Sequence, residues 1–98
     1  MDTLLPLGTV VRLKGNEELM IISRGALTKQ NNEIVYFEYA SIIVPYGYQY
    51  PDQLYFFNYE DIHEIISIGY QNDLENDFRL KLTDKINELE FKKGSTDD

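Results

Sequence analysis

The chain is 98 residues long, 43% hydrophobic and 13% aromatic, with no cysteine; this is the make-up of one folded domain around one core, and it excludes a disordered chain, a disulfide framework and a thiolate metal site. Nine basic against seventeen acidic residues leave a net charge of −8, which argues against nucleic-acid phosphate or anionic membrane as a partner. The lack of cysteine agrees with a cytoplasmic location.

The start, MDTLLPLGTVV, has no basic region, and its apolar run breaks at Pro6 and Gly8. It reads as neither a cleaved leader nor a membrane span. In TVVRLKG, Val11 and Leu13 alternate with Arg12 and Lys14, the pattern of a half-buried strand. Gly15 to Glu18 is a short polar turn before a second apolar strand, LMIISR, so an antiparallel hairpin is expected. Gly25 to Asn32, GALTKQNN, is polar and reads as a longer loop. From Glu33, EIVYFEYASIIV is rich in β-branched and aromatic residues and lacks glycine and proline, which predicts a long strand covered on both faces near its end.

Residues 45–52 form a loop, because Pro45 and Pro51 remove ladder donors and Gly47 permits a turn. Tyr46, Tyr48 and Tyr50 alternate through it. They fit either a lid folded back on the sheet or a contact patch, since tyrosine brings large area at low entropic cost. A short strand, LYFFN, leads to a single helical turn with Asn58 as N-cap and Glu60 and Asp61 in its first turn. HEIISIGY follows as a further strand. Beyond Gln71 the period changes to 3.6: Leu74, Phe78, Leu82, Ile86 and Leu89 share one face of a predicted helix over 72–93, capped by Asn72 or Asp73 and stopped after Lys92, Lys93 and Gly94. Leu80 and Phe91 lie on its other side, and 94–98 reads as a disordered polar tail of the single domain 1–98.

The charge is unevenly placed. Residues 33–70 hold Glu33, Glu38, Asp52, Glu60, Asp61 and Glu64, no Lys or Arg, and eleven of the thirteen aromatics. Such a block favours a basic or amphipathic protein partner, or serves as a solvated face. His63 is the only histidine, so a metal centre would lack a second imidazole or a thiolate. No serine sits in a GxSxG context and no glycine pattern suits a nucleotide. No catalytic constellation, metal site or cofactor is expected.

The order LLPLGTVVRLKG, LMIISR, a Tyr-Gly-Tyr loop and YFFNYEDIHEIISIGY resembles a family of small bacterial domains of unknown function. These are commonly encoded beside LXG-domain polymorphic toxins of the type VIIb secretion system. The matching positions are Pro6, Gly8, Lys14, Gly15, Gly47, Phe56, Phe57, Asn58, Glu60, Asp61 and Ile62; Tyr46 departs from the acidic residue usual between proline and glycine. The resemblance implies a targeting factor or chaperone that binds the helical N-terminal LXG region of a cognate toxin and works beside a small WXG100-like helical partner. The rival reading is an immunity protein that binds and inhibits a toxin domain.

The expected fold is therefore α+β: a strongly bent antiparallel sheet of about five strands, with an SH3-like arrangement among the options, and a C-terminal amphipathic helix. The expected partner-binding residues are Tyr46, Tyr48, Tyr50 and Tyr59 for contact area, with Glu60, Asp61 and Glu64 steering basic residues.

Overall fold

The computed structural model describes residues 3–96. Along the chain come β1 (Val10–Arg12), β2 (Glu18–Gln30), β3 (Glu33–Val44), β4 (Tyr55–Phe57), β5 (Glu64–Ser67), α1 (Asp73–Asn87) and β6 (Lys92–Lys93). The sheet runs β4-β3-β2-β1-β5, each neighbour antiparallel. β6 pairs parallel with the start of β3. The α+β fold with a C-terminal helix forms as the residue pattern predicts, and the sheet stays open, with β4 and β5 at its ends.

The long β2–β3 hairpin is the frame. Residues 25–30, expected in a loop, continue β2 as far as the Gln30–Glu33 pair. Asn31 and Asn32 alone make the turn, at φ of 55° and 65°. Asparagine tolerates that left-handed region, and a turn with both central residues there matches the twist of its flanking strands. A bulge follows Ile21, which pairs with Ser41 while Ser23 pairs with Ala40; the extra residue bends the sheet locally.

Leu4, Val11, Leu19, Ile21, Tyr39, Phe57 and Ile86 form the core. Paired positions put several of these on one face, Val11 opposite Leu19 and Tyr39 opposite Phe57. The helix covers that face, and Gly25 lets it approach: a Cβ there would sit 3.1 Å from Ile86 Cδ1, on a backbone already at φ +70°. The segment before β1 is pinned between helix and sheet. Leu4 N donates to Thr83 Oγ1 at 3.1 Å and Leu5 N to the Tyr39 hydroxyl at 3.0 Å.

The helix differs from its expected form in two ways. Its buried side is Thr83 and Ile86, with Leu82, Arg79 and Glu75 partly covered, whereas Leu74 is 77% and Phe78 52% exposed. A buried polar contact sets this rotation: Arg24 Nη2 and Nη1 meet the two Glu75 carboxylate oxygens at 2.8 and 3.1 Å. A paired charge has to be held in good geometry once buried, so the helix turns its Glu75 side inward and its first apolar residues outward.

The helix also ends at Asn87 rather than at 93. Lys92 and Lys93 become β6, and Gly94 N donates to Tyr36 O at 2.7 Å. Of the expected tail, Ser95 is tied to the Gln30 side chain through its N–H and its carbonyl, and Asp97 and Asp98 lie outside the described residues. Leu80 and Phe91 are exposed.

Burial pushes the Tyr39 phenol up from 10.0 to about 12. Because the folded value is the higher one, its contribution is fully present below pH 10.0 and is lost up to about pH 12, where the unfolded phenol ionises and the folded one does not. The loss is on the order of 3 kcal/mol. Urea unfolding midpoints measured across that range should fall in the wild type and fall less in Tyr39→Phe; parallel profiles would refute the assignment.

Candidate functional site

The corner after β4 is built on Asn58. Its Oδ1 accepts from Glu38 N at 3.0 Å, its Nδ2 donates to Gly94 O at 2.9 Å, and its backbone N donates to Asp61 Oδ2 at 2.8 Å. Asp61 is thereby the reciprocal cap of a single 3₁₀ turn, Tyr59–Asp61. Glu60 faces Lys93 at 3.1 Å. Burial raises its pKa, but hydrogen bonds from its own backbone N–H and from Lys93, with the lysine's charge, outweigh that and hold the carboxyl below its ordinary value. Glu64 pairs with Arg12. The three acids expected to steer a partner are therefore each engaged within the chain.

The tyrosines fall into two groups. Tyr46, Tyr48 and Tyr50 stand on the loop after the cis Val44–Pro45 peptide and are strongly exposed, Tyr46 by 73%. Tyr46 also borders a small hollow with Ile43, Gln49, Gln53 and Tyr55. Tyr59 lies beyond the other end of β4 and lines a different pocket, beside Leu4, Leu5, Ile68 and Arg79. Loop and corner do not make one patch around β4.

The surface that sequence reasoning missed is an open apolar groove of about 510 Å³. Leu7, Tyr70, Leu74 and Phe78 line it, with Asn72 and the Arg24–Glu75 pair as its polar lining. Gly69 makes it possible, because a Cβ there would lie 2.0 Å from Leu7 O; only glycine lets the strand leaving β5 pass so close to the Leu7 turn and deliver Tyr70 beside it. Phe78 is steadied by Arg24, whose guanidinium carbon is 5.8 Å from the ring centroid. Asn72 Oδ1 caps the helix at Glu75 N, 2.8 Å away, fixing the turn that carries Leu74. The available signal was Arg24, a lone cation in an apolar strand that needs a carboxylate, with Glu75 the acid one position from the presumed buried stripe.

His63 borders a shallow hollow with Tyr59, Ile62, Glu64 and Ile65. Among the described residues no group of three or more His, Cys, Asp or Glu side chains could hold a metal ion, and no helix is long and apolar enough to cross a membrane. What the surface offers is contact area: a tyrosine loop, an apolar groove and a smaller pocket of mixed lining around Arg79.

A family described as "Domain of unknown function (DUF4176)" matches residues 4–78, from the pinned N-terminal segment through the groove to Phe78. No curated protein and no solved structure matches the chain significantly.

Proposed function

Because the chain belongs to the DUF4176 family, we propose that it is a non-catalytic targeting factor that binds the N-terminal helical LXG region of a cognate toxin. Beside a small WXG100-like helical partner, it helps present that toxin to the type VIIb secretion machinery. The observation that carries this reading is the groove: four large apolar side chains, Leu7, Tyr70, Leu74 and Phe78, are exposed side by side at the start of α1. An amphipathic helix laid into such a groove buries its apolar face there. Asp73 and Asp77, exposed on the same turns of α1, favour basic residues along the edge of the incoming helix. The loop tyrosines supply a second contact.

Co-purification against separate toxin fragments tests the reading. The N-terminal LXG fragment should be retained and the C-terminal toxic domain should not; retention of the C-terminal domain alone would instead indicate an immunity protein. Changing Tyr46, Tyr48 and Tyr50 together to serine is expected to weaken retention by about tenfold, one modest hot spot's worth, and to leave the thermal midpoint almost unmoved. A large fall in that midpoint with full retention would assign the rings to the fold.

A further inference from the structure

We propose that the pocket beside Tyr59 is a carboxylate-binding site, built around Arg79, that takes a glutamate side chain from a bound protein. The argument starts from charge. Arg24 and Arg79 are both largely buried, their side chains 4% and 16% exposed, and they share a single carboxylate, Glu75. Arg24 takes both Glu75 oxygens. Arg79 is left with one contact from Nε at 3.8 Å, too long for a hydrogen bond. In a chain of net charge −8, the described residues at this spot carry a surplus positive charge.

Donors are in surplus as well. A guanidinium has five N–H groups. Arg79 Nη2 donates to Gln71 Oε1 at 3.2 Å and to Asn76 Oδ1 at 3.0 Å, which orients the plane. Nε is buried without a hydrogen bond, and Nη1 has no partner among the described residues. Nη1, which is not among the buried unpaired atoms, is the donor left for an arriving acceptor, and a hydrogen bond from a guanidinium to a carboxylate is a strong one.

The walls fit the rest of the side chain. Arg79 opens onto a cavity of about 340 Å³ whose other faces are Leu4, Leu5, Pro6 and Ile68, with Tyr59 and Gln71 as polar neighbours. Aliphatic walls suit the methylenes of glutamate, and the guanidinium suits its carboxylate in charge and shape. Among the described residues no acidic side chain lines the cavity. The site deepens the targeting-factor reading by naming one contact, yet its test needs no toxin, so the two fail separately.

The test is a titration of ¹⁵N-labelled protein with sodium propionate, a stand-in for the glutamate side chain, against sodium chloride at equal ionic strength, following the Arg79 Nε–Hε signal. Propionate should shift that signal to saturation and chloride should not. Arg79→Gln should weaken propionate binding by about tenfold, as followed by the Tyr59 and Ile68 amides, the loss of one charge-assisted hydrogen bond; Leu74→Ser should leave it unchanged. A non-saturating response in the wild type, or full affinity in Arg79→Gln, overturns the proposal. So does binding that appears only after Asp2→Asn, which would mean that the chain fills the pocket with its own carboxylate. Sodium phosphate binding more tightly than propionate would also overturn it, in favour of a phosphate site.

Discussion

Leu74→Ser combined with Phe78→Ser is expected to weaken capture of the LXG region by about a hundredfold, two interface anchors lost at roughly 1.4 kcal/mol each. The same change should barely touch folding, because Leu74 is 77% and Phe78 52% exposed. Its cost to the fold is the half-buried part of the Phe78 ring together with the Arg24 contact over it, the latter worth about 0.5–1 kcal/mol at such a site. Calorimetric titration of the LXG fragment and a thermal melt on the same preparation separate the two quantities. Undiminished affinity with an intact melt would remove the groove from the interface; a collapsed melt would return Phe78 to the core.

The opposite separation is expected at Asn58. Asn58→Leu keeps the volume and removes the amide, so Glu38 N loses its acceptor at 3.0 Å and Gly94 O its donor at 2.9 Å. Asn58 is only 2% exposed, so water does not readily replace either partner. Stranding two buried backbone groups costs about 1–3 kcal/mol each, a large share of the roughly 5–15 kcal/mol that holds a domain together. Urea unfolding should give a loss of about 2–6 kcal/mol, with faster amide exchange at Gly94 and Ser95. A loss below about 1 kcal/mol would show that the corner is held by the Asp61 cap and the β6 pairing alone.

What was readable in the sequence follows a physical divide. Strands announced themselves locally, β1 by alternation and β3 by its β-branched and aromatic content, and both, with the short β4, lie within the stretches that residue pattern assigns to them. The Asn58 turn was legible because its cap and its acids are local. The errors lie where a distant partner decides. Residues 25–30 look polar, but β3 supplies their ladder, and the Asn31–Asn32 pair was the turn signal inside the presumed loop. The helix has an apolar stripe of the right period, yet Arg24, 51 residues away from Glu75, sets its rotation. Lys92 and Lys93 look like a cationic helix end until β3 offers an unpaired edge. The candidate site inherits the same limits: the loop tyrosines were visible as a cluster, whereas the groove exists only because the helix is turned outward.

The two pins at the ends of the fold carry a consequence for biogenesis. Leu4 waits for Thr83, 79 positions later, and Asn58 waits for Gly94. While the ribosome is still reading the codons for the helix, the hairpin can form, but its apolar side stays bare and the segment around Leu4 has nothing to grip. Closure of these two contacts thus has to wait until the last turns emerge, as expected for contacts of long sequence separation. A chain cut at residue 78, where the family match stops, would carry the groove's residues without the lid that gives them a shape.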